Sequence, residues 1–147
     1  MTTTLRCTFI AAAGGLLLSA TFAAGQAFQP FTTIWSGVYT QEEAARGVTK
    51  AAQFCGRCHG ADLKGATAPK LTGSSFFDRW HDLRLLDPIA YIQSSMPHQH
   101  EVFITGDSVR DIVAFMLRES GVPAGTEPIS KDVDVLTGIL ITRPPAN

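Results

Sequence analysis

Cys55-Gly56-Arg57-Cys58-His59 places two thiols and an imidazole within five residues. Residues three apart share one face of a helical turn. Thiols so spaced can add to the two vinyl groups of one haem while the next side chain offers a nitrogen to the iron. Two other chemistries compete for the cysteines. A redox dithiol of the thioredoxin kind follows a strand in a βαβ unit, whereas a helical pattern runs into this motif. A zinc site needs a second Cys/His pair at ligand spacing, and the sequence has none. Covalent attachment of haem, with His59 on the iron, uses all three side chains.

The other axial position has four candidates: Met96, Met116, His98 and His100. Met116 falls on the apolar face of a helical pattern, where methionine is usually core filling. Met96 ends a short helix and is followed by Pro97, which suits a side chain presented from a loop. A thioether favours ferrous iron and raises the potential, and a second imidazole lowers it by comparison. Met96 is the favoured ligand, with His98 or His100 as competitors. Pro69 lies in a Gly- and Ala-rich stretch and is placed to accept a hydrogen bond from the His59 ring nitrogen facing away from iron. Trp80 carries an indole N–H able to reach a haem propionate, or serves as a plain core aromatic. His98, His100 and Glu101 beside Met96 also allow acid–base chemistry at an open distal site. That defines the rival reading, a haem enzyme or gas-binding sensor, against a simple solvated loop.

These side chains need positioning elements. Thr40-Gln41-Glu42-Glu43 reads as a capping box. The first helix runs through Ala44, Ala45, Val48, Ala51, Ala52 and Phe54 into the cysteines, with Gly47 inside it where another element can approach. Residues 60–73 read as a wrapping loop, followed by a polar-aromatic segment with Phe76, Phe77, Trp80 and His81. Asp87-Pro88 predicts a helix with an acidic N-cap, carried by Ile89 and Ile92 and stopped at Met96-Pro97. Val109, Ile112, Val113, Met116 and Leu117 follow amphipathic helical spacing from a start near Asp107-Ser108, and Gly121 with Pro123 end it. Glu127 to Asn147 predicts a helical turn and an extended strap.

Arg6 precedes Phe9 to Ala24, a nearly uncharged run of 16 residues. A bilayer-spanning helix needs about 20. Ala23-Ala24-Gly25 offers a cleavage site before Gln26, with Ala27 an alternative last residue. The organisation expected is a signal peptide over residues 1–25, an aromatic-rich arm (Phe28, Phe31, Trp35, Tyr39) over 26–39, a haem domain over 40–126 and a strap over 127–147. The mature chain is then periplasmic, and membrane-bound only if the segment stays uncleaved. Removing 25 of the 147 residues leaves 122, one small domain. Cys7 leaves with the signal, so no cysteine is spare for a disulfide.

The net charge of −1 gives no footing for nucleic acid. Arg46, Lys50, Arg57, Lys64 and Lys70 face one acid, Asp62, across the stretch that brackets the motif. That distribution suits steering of an acidic partner to the haem edge, or a plain solvated surface.

From Val38 to about Val122 the chain resembles the monohaem class I cytochrome c family. Gly47, the Cys55–His59 motif, Ala68-Pro69-Lys70-Leu71, Ser95-Met96-Pro97 and Phe115 carry the likeness. The resemblance implies an all-α, cytochrome c-like fold wrapped around one covalently attached haem c, with Gly47 meeting Phe115 where the first and last helices cross. It implies an electron carrier rather than an enzyme, with His59 and Met96 on the iron. Trp35-Ser36-Gly37-Val38-Tyr39-Thr40 and Gly121-Val122-Pro123-Ala124-Gly125 are similar to small cytochromes that accompany periplasmic quinoprotein dehydrogenases. That narrower likeness implies a periplasmic dehydrogenase as donor and a respiratory oxidase or second cytochrome as acceptor.

Overall fold

The computed structural model describes residues 32–97 and 102–146. The order is β1 (Thr32–Thr33), a 3-10 turn (Ile34–Ser36), α1 (Gln41–Phe54), α2 (Gly56–His59), α3 (Ser74–Trp80), α4 (Leu86–Ser95), α5 (Gly106–Glu119), α6 (Val133–Gly138) and β2 (Ile139–Leu140). The expected Phe28, Phe31, His98, His100 and Glu101, and the whole signal segment, lie outside the described residues.

The start of α1 follows directly from its sequence. Thr40 Oγ1 accepts from the Glu43 backbone N–H at 3.2 Å, and the Glu43 carboxylate accepts from the Thr40 N–H at 3.1 Å. Glu43 is buried and also takes the Ile129 N–H at 3.0 Å, which ties the C-terminal segment to the first helical turn. Ala44, Gly47 and Ala51 form the buried stripe, whereas Val48 stays 38% exposed.

α1 and α5 make the principal packing contact of the fold. A Cβ placed on Gly47 would lie 2.0 Å from the Asp111 carbonyl oxygen and 2.7 Å from Phe115 Cβ. The expected meeting of Gly47 with Phe115 is therefore present, and it is a backbone-to-helix contact with no room for any side chain. α5 contributes a continuous buried face from Val109 to Leu117. Its N-cap is Thr105, whose Oγ1 accepts from Ser108 N–H at 3.3 Å, so the helix starts slightly ahead of the expected Asp107-Ser108.

Two further helices differ from expectation. The aromatic segment is a helix, α3, burying Phe76, Phe77 and Trp80. α4 begins at Leu86 with Leu85 as its N-cap, and Asp87 sits inside the first turn rather than capping it. The reason is local. Asp87 N–H donates to the Arg84 carbonyl at 2.9 Å, so the turn has already closed, and the Asp87 carboxylate reaches back to the Arg84 N–H at 2.6 Å.

The segments flanking these helices come together. β1 pairs in parallel with β2, Thr32 opposite Ile139 and Thr33 opposite Leu140. Trp35 stacks on Phe77 at 6.0 Å and donates its indole N–H to the Thr142 carbonyl at 3.2 Å. The α3–α4 connection joins on the other side, with Leu85 N–H donating to Ile139 and Ile141 N–H to Leu83. Gly37 and Gly125 touch so closely that a Cβ on Gly125 would meet the Gly37 carbonyl oxygen at 2.0 Å. Buried Tyr39 locks this junction by donating to the Val122 carbonyl at 2.7 Å.

A Gly47→Ala substitution gains helix propensity but forces two backbones apart. Overpacking of this kind is expected to lower the stability of the haem-loaded protein by about 1–3 kcal/mol, read by chemical denaturation.

Candidate functional site

The motif grows out of the end of α1. Cys55 N–H donates to Ala51 at 2.8 Å, and His59 N–H to Cys55 at 2.9 Å, so the helical path continues with only a local break at Cys55. Cys55 is half-buried and Cys58 exposed, and neither is in a disulfide. Burial pushes the Cys55 thiol up to about 11. A dithiol oxidoreductase needs the opposite, a thiol poised as thiolate.

The wrapping loop is held by backbone bonds to the motif itself. Gly65 N–H donates to the His59 carbonyl, Ala68 N–H to Cys58, and Leu71 N–H to Leu63 at the base. This brings the Pro69 carbonyl oxygen to 2.7 Å from His59 Nδ1. A carbonyl only accepts, so Nδ1 carries the proton and the Nε2 lone pair is left available.

His59 looks into a cavity of about 470 Å³ that also touches Leu71, Trp80, Tyr91, Ile92, Met96 and Met116. An adjoining space of about 230 Å³ shares His59, Pro69, Leu71, Ile92, Met96 and Met116 and reaches Phe54, Cys55 and Cys58. The two form one cleft between the motif, the wrapping loop, α4 and α5. Met96 is the C-cap of α4, in extended conformation and half-buried. Trp80 is 8% exposed, edge-on to Tyr91 at 5.7 Å. Among the described residues no group of three or more His, Cys, Asp or Glu gathers to hold a metal ion by side chains alone. A mostly apolar cleft with two thiols at one end, and an imidazole and thioethers on its walls, fits a haem.

All six sequence-predicted residues, Cys55, Cys58, His59, Pro69, Trp80 and Met96, thus border the same cleft. Met116, expected as core filling, is indeed buried but also lines it. Sequence reasoning missed Arg79 and Tyr91. The Arg79 guanidinium lies 5.2 Å from the Trp80 ring centre and 5.0 Å from that of Tyr91. The adjacency of Arg79 and Trp80 was the one available signal.

The basic bracket around the motif is smaller than the sequence suggests. Arg46 pairs with Asp111 at 2.8 Å, and Lys50 hydrogen-bonds the same buried carboxylate. Lys64 sits 3.5 Å from Asp62. Arg57 and Lys70 are the cations of that stretch with no ion-pair partner among the described residues.

Helical architecture and a thiol-imidazole cleft together define a small all-α, monohaem class I cytochrome c. Residues 42–116, just over half of the chain, match the family described as cytochrome c oxidase, cbb3-type, subunit III. The chain belongs to that family, whose cytochrome c domain holds covalently bound c-type haem and transfers electrons. No curated protein matches it. A crystal structure of the sulfane dehydrogenase SoxCD from Paracoccus pantotrophus is similar at 21% identity and a TM-score of 0.40, covering 69% of this chain. The alignment takes in 60% of that chain, less than two thirds of its length. No helix among the described residues is long and apolar enough to cross a membrane.

Replacing Cys55 and Cys58 together by alanine is expected to abolish covalent haem. The denatured protein should then lose haem stain on a gel and release its pigment into acidified organic solvent.

Proposed function

We propose that this chain is a periplasmic electron carrier and not an enzyme, holding one haem through Cys55 and Cys58 with His59 and Met96 as axial ligands. The observation that carries the reading is the pairing of a tautomer-fixed imidazole and a helix-terminal thioether on one apolar cleft. When bound, the haem supplies the one-electron ferric–ferrous couple. The rest is the work of the chain. Pro69 orients His59 and fixes its tautomer through the hydrogen bond at Nδ1. Met96 contributes a soft donor that favours ferrous iron and raises the potential. Ile92, Ile104, Ile112 and Met116 exclude water from the cleft. Trp80, which lines the same cavity, would offer its indole N–H to a propionate. With His59 and Met96 holding the iron, the haem would exchange electrons without substrate reaching it.

The donor in this reading is a periplasmic dehydrogenase and the acceptor a respiratory oxidase or second cytochrome. This reading rests on the two runs that resemble dehydrogenase-associated cytochromes, which meet in the fold at Gly37 and Gly125. Residues 1–25 direct export and are then removed. Cell fractionation with N-terminal sequencing of the mature protein tests that step, and a cytoplasmic, full-length product overturns it.

The axial assignment is tested by the reduced visible spectrum with and without carbon monoxide. The parent protein should stay low-spin and barely respond. Met96→Ala should lower the potential sharply and bind the gas, whereas Met116→Leu should do neither. A parent protein that binds carbon monoxide promptly would replace the carrier reading with the open-site one, an enzyme or sensor.

A further inference from the structure

The cleft has two chemically different ends. Around Cys55 and Cys58 its walls are Phe54, Ala68, Pro97 and Ile104. The other end opens among Lys70, Ser75, Asp78, Arg79, Trp80 and Tyr91. A haem carries its vinyl groups and its two propionates on opposite halves of the ring. Thioether links at Cys55 and Cys58, the attachment proposed above, therefore direct the propionates to the polar end.

Two carboxylates leaving water need cations. Lys70 and Arg79 supply them, and among the described residues neither is ion-paired. The aromatic rings of Trp80 and Tyr91 hold the Arg79 guanidinium in place. Asp78 is out of character here, a third carboxylate at an opening that must receive two. Its partner comes from the C-terminal strap: Arg143 Nη2 donates to Asp78 Oδ1 at 3.0 Å. Trp35, through the Thr142 carbonyl, anchors the strap one residue earlier.

We propose that Arg143 is a positioning residue for the propionate end of the haem: by neutralising Asp78 it leaves Lys70 and Arg79 to the propionates. The strap, which lies outside the residues matched by the family, thus sets the charge at the cleft mouth.

The test is potentiometric titration of the haem-loaded protein at low and high salt, comparing the parent with Arg143→Gln, Arg79→Gln and the double variant Asp78→Asn/Arg143→Gln. Removing a cation or uncovering an anion near ferric haem stabilises the oxidised form. Both single variants should show a lower potential at low salt. The fall in Arg143→Gln should shrink at high salt, because the pair is half-exposed and screened. The double variant should recover the parent value. An unchanged potential in Arg143→Gln or Arg79→Gln overturns the proposal, as does a fall that Asp78→Asn fails to reverse. Arg143 is exposed enough that its loss should not unfold the chain. The methionine-to-iron charge-transfer band, recorded on the same samples, reports the axial ligands separately. Its absence from the parent would count against Met96 alone.

Discussion

At Gly47 the backbone of α1 lies so near the Asp111 carbonyl that even a methyl group has no space. Much of the structure depends on that crossing. α1 delivers Cys55 to His59 at its C-terminal end, and α5 carries Ile112 and Met116 into the cleft wall. The depth of the crossing therefore sets the separation between motif and wall. A larger residue at position 47 would act on the haem cleft as a lever, since the motif lies two turns beyond the fulcrum. The same crossing explains Asp111. Its carboxylate is buried beside α1, where an unpaired charge is costly, and Arg46 and Lys50 sit one turn apart to meet it.

The parts of the fold that could be read in the sequence are those with local causes. The Thr40 capping box, the cysteine spacing, the apolar period of α5 and the stop at Met96-Pro97 each involve residues within a turn or two of one another. α3 escaped because it is one short helix, preceded by Gly73 with no side-chain cap, and its aromatics show no period long enough to count. The start of α4 shifted because Asp87 capped a turn instead of a helix. Arg79, Trp80 and Tyr91 come from two helices, so their stacking has no signature in spacing. The charges misled for the same reason. Arg46 and Lys50 look like surface cations until the helix that neutralises them, 65 and 61 residues on, is in place.

The loop over the proximal side shows how a glycine-rich stretch becomes a rigid one. Gly60 and Gly65 adopt positive φ values of 79° and 96°, and Leu63 follows at 58° with its side chain fully buried. Gly65 and Ala68 N–H return to the motif, Leu71 N–H to Leu63 in the loop itself, and Gly73 N–H to the Ser120 hydroxyl at 3.0 Å. The Pro69 carbonyl is thereby held against His59, and the proton on Nδ1 has an acceptor at 2.7 Å. A polar partner supplied by backbone cannot be removed by changing a side chain, so this contact resists drift in sequence more than an Asp or Asn in its place would.

The parallel pair β1–β2 binds the segment before the haem motif to one that lies far after it. Residues 139–143 do not line the cleft but brace it from outside, through the Leu85–Ile139 and Ile141–Leu83 backbone bonds and the Arg143–Asp78 pair, and they follow every cleft-lining element in the chain. The walls that would receive a bulky planar cofactor are thus all upstream of the segment that braces them, so the brace is the last part of the fold to be made.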